Sequence, residues 1–198
     1  MFHYLVHLDI VIFSLINSHH ALFFDRFFML VTWLGDGWVA IPVVGAVLII
    51  FTPRSILART LLIAAIAGTL TGVCNTQIKR IIARPRPLVY FAASSATGDS
   101  GQVHVLGERL RQNSFPSGHT ATAFAAATIV FLLLKRKLFL VFIPAFIVAY
   151  SRVYVGAHFP LDIAGGALLG CGIPALVIVF FRQGIFRTSS AIRERAHD

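Results

Sequence analysis

Charged residues are scarce in this chain, and acidic residues are the scarcest. Only 13% of its 198 residues are charged, with 8 acidic against 17 basic residues, while 57% are hydrophobic and the mean hydropathy is +0.81. Soluble domains carry about twice this share of charged residues. The composition therefore excludes an ordinary soluble domain and predicts one integral-membrane domain over residues 1–198.

Cysteine is almost absent too. Cys74 and Cys171 each lie inside an apolar segment with no neighbouring cysteine, which argues against a disulfide, a CxxC redox pair and a structural zinc site. No cluster of carboxylates indicates a magnesium or zinc site, so we expect no metal and no cofactor. The basic residues fall between apolar segments, which argues against nucleic acid as a partner. The expected partners are the bilayer and its anionic lipids, and no obligatory protein partner is evident.

The apolar segments predict about five transmembrane helices, and hence an all-α membrane bundle. Each segment is near the roughly 20 residues that a helix needs to cross the hydrocarbon core. The predicted spans cover residues 37–53, 57–78, 117–134, 138–157 and 161–181.

The segments outside these spans have different expected roles. Residues 4–24 are apolar but carry His7 and Asp9, which favours an amphipathic helix in the interface, with a sixth span as the alternative; the N-terminal segment is 1–36. Residues 80–116 are rich in proline and glycine and form the one long connection, the natural place for substrate entry. Residues 183–198 are predicted to be a cytoplasmic tail.

Three short segments hold the polar residues that the spans lack. Ionisable groups near membrane spans are costly and usually mark a functional site. The segments are Lys79 with Arg86-Pro87, then Pro116-Ser117-Gly118-His119, then Ser151-Arg152 with His158 and Asp162. Counting the spans brings all three segments to the same face of the membrane.

The opposite face carries most of the remaining basic residues. Arg54, Arg59, the run 135–137 and the basic C-terminus all fall there. The positive-inside rule makes that face cytoplasmic. We therefore expect a multi-pass protein of the cell (inner) membrane whose active site faces the periplasm or the exterior.

The cations in these segments suit a phosphate group. Arg86 and Arg152 offer planar forks that pair with phosphate oxygens, and Lys79 adds a point charge. The stretch 117–119 opens a helix, whose free N–H groups and dipole favour an anion. Together they predict a phosphate site stabilised by charge and by position.

Two histidines can supply the chemistry at such a site. His158 has Asp162 four residues on, where a carboxylate can hold the imidazole tautomer and stabilise the cation formed on attack. His158 is therefore the predicted nucleophile. His119 is predicted to protonate the leaving alcohol and later to activate water, since histidine titrates near working pH.

These segments resemble the three-part signature of the type 2 phosphatidic acid phosphatase superfamily, and every position matches. The resemblance implies a bundle of about six membrane helices. It also implies phosphate ligands at Lys79, Arg86, Ser117, Gly118 and Arg152. His119 would be the acid and base, and His158 the phosphohistidine-forming nucleophile oriented by Asp162.

The expected function is hydrolysis of a phosphate from a membrane lipid. Lipid A phosphates, phosphatidylglycerophosphate, phosphatidate and polyprenyl diphosphate all present a phosphate at headgroup depth. One alternative is a phosphotransferase that passes the phosphoryl group from this same site to another lipid. A second is a non-enzymatic anion-binding membrane protein, although binding alone needs no nucleophile with an orienting carboxylate.

Topology gives a test that needs no substrate. We expect residues 88–115 outside the cell, and residues 135–137 with the C-terminus inside. An impermeant thiol reagent should therefore label Ser100→Cys in intact cells but leave Arg136→Cys unlabelled. Labelling of Arg136→Cys alone would reverse the orientation.

Overall fold

The computed structural model describes residues 2–95, 103–134 and 139–194, and all the regular secondary structure in these ranges is helical, which confirms the all-α class. Two short 3-10 helices, Thr32–Gly35 and Phe139–Val141, precede α3 and α7. The α-helices are α1 (Phe2–Ser18), α2 (Leu22–Val31), α3 (Gly37–Phe51), α4 (Arg54–Ile82), α5 (Pro87–Ser95), α6 (Gly118–Leu133), α7 (Phe142–Tyr154) and α8 (Pro160–Glu194).

Two helical segments are long and apolar enough to cross a membrane. One covers residues 54–93, where α4 is followed by α5, and the other is Pro160–Arg182 of α8. The pair Tyr4–Ser18 and Leu22–Gly35 meets the same criterion only as one span bent by 118°. The helices α3, α6 and α7 are apolar but have 15, 16 and 13 residues, fewer than the roughly 20 of a full span. The described chain has two or three clear spans, and the count of five to six stays a prediction.

Local sequence determines where α6 begins and where α7 ends. The Ser117 hydroxyl accepts a hydrogen bond from the Thr120 N–H and caps α6, so the helix proper begins at Gly118. Pro144 lies in the first turn of α7, where a missing N–H costs little. At the other end of α7 the chain leaves the helix through Gly156, whose φ of +74° favours glycine.

Two segments outside the predicted spans contain helix. Within residues 80–116, α4 continues to Ile82, and α5 begins at Pro87, a residue suited to the first helical position. The α8 backbone continues beyond residue 183 to Glu194.

The helix α6 lies at the centre of the bundle and packs against α3, α4, α7 and α8. Its closest neighbour is α8, where Gly166 and Gly170 follow the small-xxx-small spacing that lets membrane helices approach. A Cβ atom on Gly170 would lie 2.4 Å from the Ala121 carbonyl oxygen, and one on Gly166 would lie 2.5 Å from the Ser117 carbonyl oxygen.

The N-terminal helix α1 packs onto the same end of the bundle. Phe13 is buried against Phe159 and Val153. The Asn17 amide donates to the carbonyls of His104 and Tyr154, each at 2.9 Å, and its oxygen accepts the His104 N–H at 2.9 Å. These contacts join α1 to α7 and to the segment that leads into α6.

Filling the close contact between α6 and α8 should destabilise the bundle. Gly170→Leu forces α8 away from α6, and we expect it to lower the free energy of unfolding by about 1–3 kcal/mol. Thermal unfolding in detergent measures the effect. Gly172→Leu is the matched control, because a Cβ atom there meets nothing within 4 Å. Equal melting temperatures for the two variants would contradict the packing described here.

Candidate active site

The predicted nucleophile lies in the short connection between α7 and α8. The His158 N–H and the Ala157 N–H both donate to the Arg152 carbonyl oxygen, each at 3.1 Å, which folds the connection back on the end of α7. A Cβ atom on Gly156 would lie 2.4 Å from the His104 carbonyl oxygen, so the connection also contacts the segment before α6. His158 is 2% exposed.

The two ring nitrogens of His158 have different neighbours. Nδ1 lies 3.6 Å from the Asp162 carboxylate and 3.4 Å from the Ser114 hydroxyl. Nε2 lies 3.5 Å from Nη1 of Arg86. This arrangement favours a proton on Nδ1 and leaves the Nε2 lone pair directed toward the cationic side of the site.

Burial keeps the His158 imidazole uncharged. Its burial lowers the pKa of His158 to about 3, with smaller contributions in the same direction from the charges of Arg86 and Arg152, although Asp162 acts to raise it. Since the ordinary value is near 6.5, the ring is neutral over the whole physiological range. A neutral ring has the free lone pair that a nucleophile needs.

Asp162, in the first turn of α8, is fully buried and held from several directions. Its Oδ2 accepts hydrogen bonds from the Ser114 hydroxyl at 2.5 Å and from the Phe159 N–H at 2.9 Å. Its Oδ1 accepts from Arg84 at 2.7 Å. Because Ser114 lies between the carboxylate and His158 Nδ1, the hydroxyl can relay a hydrogen bond from one to the other.

Arg86 is fixed beside the nucleophile by two backbone carbonyls. Its Nε donates to Gln112 at 2.9 Å, and its Nη1 donates to Ala157 at 3.1 Å. The side chain belongs to the connection between α4 and α5, and these contacts join that connection to the one that carries His158. Only 7% of the residue is exposed.

Lys79 and the start of α6 form the adjoining part of the site. The Lys79 ammonium donates to the Asn113 carbonyl at 2.9 Å. A Cβ atom on Gly118 would lie 3.8 Å from Lys79 Cε, so the lysine stem runs beside the first turn of α6. The Ser117 N–H donates to the Asp162 carbonyl at 2.9 Å, which ties the start of α6 to the start of α8.

Arg152 and His119 are the remaining predicted site residues. Arg152 is 9% exposed; its Nη1 donates to the Thr32 hydroxyl at 2.6 Å, while its buried Nε has no hydrogen-bond partner among the described residues. Arg152, Lys79 and Arg86 are close enough for their charges to act on His119. A Cβ atom on Gly35 would lie 2.9 Å from His119 Cβ, so the 3-10 helix before α3 packs directly on this histidine.

A mainly apolar groove leads from His119 into the bundle. The groove lies between α3, α4 and α6 and has a volume of about 650 Å³. Asp36, Asn75 and His119 line its polar end, while Leu48 and Leu61 line its far end. Leu61 and Asn75 are separated by 14 residues of α4, or about 21 Å of helix.

The structure brings the residues of all three signatures together, and their roles stay predictions. Sequence reasoning missed Asp9, Arg84, Ser114 and Thr32 as residues of the site. Ser114 is three residues before Ser117, and Arg84 is two before Arg86, so adjacency to the signatures was the available signal. Among the described residues no three His, Cys, Asp or Glu side chains form a group that could hold a metal ion.

Comparison with known proteins agrees with this geometry. The family model of the PAP2 superfamily matches residues 57–185, which include every signature residue. The undecaprenyl-diphosphatase of Sulfolobus acidocaldarius is 29% identical over 171 residues, covering 86% of this chain and 77% of that protein. The lipid A 4'-phosphatase of Bacteroides thetaiotaomicron is 27% identical over 185 residues, covering 86% and 75%.

A solved structure shares the fold. The crystal structure of Aquifex aeolicus LpxE superposes with a TM-score of 0.69 at 30% sequence identity, covering 86% of this chain and 94% of that one. Because the family model covers well over half of the chain and contains every residue of the three signatures, the protein belongs to the PAP2 superfamily.

Proposed function

We propose that this protein hydrolyses a phosphate or diphosphate group on a membrane lipid, through a covalent phosphohistidine at His158. The observation that carries the proposal is the environment of this one imidazole. Its Nδ1 faces Ser114 and Asp162, while its Nε2 faces the Arg86 guanidinium. A phosphate bound by Arg86 would therefore meet a neutral, oriented nitrogen lone pair.

The first half of the reaction transfers the phosphoryl group to the enzyme. His158 Nε2 attacks phosphorus, and the bond from phosphorus to the leaving oxygen breaks. His119, whose protonated form is favoured once the anionic phosphate offsets the three nearby cations, gives its proton to that oxygen. Asp162 stabilises the positive charge on the phosphorylated ring, and Lys79, Arg86 and Arg152 stabilise the charge on the phosphoryl oxygens.

The second half returns the enzyme to its starting state. His119, now neutral, takes a proton from water as that water attacks phosphorus, and the bond between nitrogen and phosphorus breaks. Inorganic phosphate leaves, and both histidines recover their first protonation states. The same residues would pass the group to a second lipid if a lipid hydroxyl took the place of water.

Phosphate ligands are available on the α6 side as well. The Ser117 hydroxyl oxygen accepts from the Thr120 hydroxyl at 3.0 Å, which leaves its own hydrogen free to donate. At Gly118 the first turn of α6 presents backbone N–H groups, and the helix dipole favours an anion there. We assign Ser117 and Gly118 to phosphate binding on these grounds.

The groove supports a lipid as substrate. Membrane helices use glycine to pack closely, yet a Cβ atom on Gly45, Gly68 or Gly72 would meet nothing within 4 Å. These glycines lie along α3 and α4 and leave open space beside His119. About 21 Å of groove covers much of the roughly 30 Å hydrocarbon core, enough for an extended lipid chain.

Asn75 lies where the phosphate end of the groove meets its apolar part. The residue is 6% exposed, and its Nδ2 has no hydrogen-bond partner among the described residues. An unsatisfied buried amide costs about 1–3 kcal/mol. A polar linkage of the substrate, such as a second phosphate or an ester, would fit beside it.

The names of two relatives support two of the candidate lipids. Two relatives are named for undecaprenyl diphosphate and for lipid A. We therefore include polyprenyl diphosphate and lipid A with phosphatidate and phosphatidylglycerophosphate as candidate substrates. The proposed setting is the outward leaflet of the cell membrane, with one domain over residues 1–198, since the positive-inside rule places the site there.

Removing the nucleophile should abolish turnover. We expect His158→Ala to lower phosphate release from every candidate lipid by at least about 10³-fold, because no second group can form the covalent intermediate. Rapid quenching with radiolabelled lipid should show an acid-labile phosphoenzyme in the wild type and none in this variant.

A matched histidine change controls for folding. His7→Ala removes an exposed imidazole of α1 and should leave release unchanged. Normal phosphoenzyme formation in His158→Ala would refute the assignment of the nucleophile. Product analysis with the same label also separates hydrolysis from transfer to another lipid.

Filling the groove should impair lipid turnover selectively. Gly72→Leu places a side chain in open space within the groove, so it should lower kcat/KM on the preferred lipid by about 10-fold or more while a soluble chromogenic phosphate ester is hydrolysed nearly as before. Phosphate release from both substrates in detergent measures the ratio. Gly172→Leu on α8, outside the groove, is the control. Equal losses on both substrates would show that the groove does not hold the lipid.

A further inference from the structure

Arg84 differs from the predicted phosphate ligands because both of its amino groups form ion pairs with carboxylates. Its Nη1 donates to Asp162 at 2.7 Å, and its Nη2 donates to Asp9 at 2.6 Å. Its guanidinium also lies over the Phe159 ring, 4.5 Å from the centroid. With both amino groups committed to carboxylates and one face on a ring, Arg84 is not placed to bind phosphate.

Asp9 reaches this site from the N-terminal helix. The residue is 2% exposed, and its Oδ1 accepts the Leu161 N–H at 2.7 Å in the first turn of α8. It therefore contacts both Arg84 and the turn that carries Asp162. The partner N–H is 152 residues away in the chain.

The charges of these three side chains are arranged in a row. Asp9 is negative, Arg84 is positive and Asp162 is negative, so the row carries one net negative charge next to His158. Removing Arg84 would leave two buried carboxylates without a countercharge, which raises the cost of ionising Asp162. Without the charge of Asp9, the positive charge of Arg84 would act on Asp162 only. Asp162 would then stabilise a positive His158 imidazole less.

We propose that Arg84 and Asp9 are positioning residues that set the charge and orientation of Asp162, and through it the tautomer and nucleophilicity of His158. The inference rests on the proposed function, because it assumes that His158 attacks phosphorus. It extends the site from the three signatures to the N-terminal helix. It also gives α1 a task besides packing.

The two residues should affect one step of the reaction. Neither contacts the groove or the phosphate ligands, so substrate affinity should change little. Formation of the phosphohistidine places a positive charge on the ring beside Asp162, so that step should slow. A change in kcat with nearly constant KM is the expected kinetic signature.

The test compares Arg84→Gln, Asp9→Asn and the double variant. Arg84→Gln should lower kcat by about 10- to 100-fold, the loss typical of removing a group that orients another. In the pH profile of kcat/KM for this variant, the acid limb should move to higher pH, because Asp162 becomes harder to ionise. Asp9→Asn should lower kcat and move that limb to lower pH. The double variant leaves Asp162 alone and should recover part of the activity lost in Arg84→Gln.

The opposite pH shifts separate a charge effect from lost packing. The charged and titratable groups that act on Asp162 are Arg84, His158, Lys79 and Arg86, together with Asp9 on α1 through Arg84. The two variants change different members of this set. Arg84→Lys, which keeps the charge but loses the fork, should keep the wild-type acid limb at reduced kcat. Arg80→Gln, which changes an exposed cation in the last turn of α4, is the control.

A readout without turnover keeps this inference distinct from the proposed function. Nitrogen NMR of labelled histidine, with the His158 signal assigned by its loss in His158→Ala, should show the Nδ1–H tautomer in the wild type and a changed tautomer ratio in Arg84→Gln. If the wild type releases no phosphate but the tautomer responds, the proposed function fails and the positioning role stands.

Two outcomes would overturn the positioning role. One is equal losses of kcat in both single variants with no opposite pH shifts and an unchanged tautomer, which would make the row a scaffold. The other is a large rise in KM for Arg84→Gln with an unchanged kcat, which would make Arg84 a substrate ligand. If Arg84→Gln fails to fold, the acid limbs of Arg84→Lys and Asp9→Asn decide the question.

Discussion

The site depends on the buried carboxylate of Asp162. Three polar groups bind its oxygens, from Arg84, Ser114 and the Phe159 N–H, and His158 lies beside it. Its backbone carbonyl also accepts the Ser117 N–H at the start of α6. A buried charge is costly without such compensation, so the helices that supply these partners must meet at this point. Packing of the bundle and assembly of the site are therefore one event.

Much of the site was predictable because its residues are charged or titratable side chains in an otherwise apolar sequence. Lys79, Arg86 and Arg152 are cations at the ends of apolar segments, and His158 with Asp162 has a spacing that suits a helix start. Asp9 gave no such signal, and the signal for Arg84 was limited to its position two residues before Arg86. Their partners lie 75 residues apart or more, and no local pattern indicates which distant carboxylate an arginine will meet.

The fold was predictable in class and less so in its boundaries. Apolar runs located the helices α3 to α8 apart from α5, but hydropathy alone does not show where capping or backbone geometry ends a helix. The Ser117 cap sets the start of α6 at Gly118, and Gly156 ends α7 short of the predicted span. Nothing in the apolar character of residues 4–24 indicated a bend of 118° between two packed helices.

Glycine serves two opposite purposes in this bundle. On α8, Gly166 and Gly170 remove side chains so that the backbone of α6 can approach. On α4, Gly68 and Gly72 remove side chains where no neighbour approaches. Gly166 and Gly170 allow a close contact between α8 and α6, whereas Gly68 and Gly72 leave open space in the groove that leads to His119. Composition alone cannot distinguish glycines that allow close packing from glycines that leave open space, since both are small residues in an apolar helix.

The contacts of α1 have a consequence for biosynthesis. Asp9 and Asn17 are made before their partners Leu161 and Tyr154, which lie 152 and 137 residues later in the chain. At about 5–20 residues per second, the first helix must wait many seconds with a polar face unmatched. The row of Asp9, Arg84 and Asp162 therefore cannot form until the start of α8 has been made.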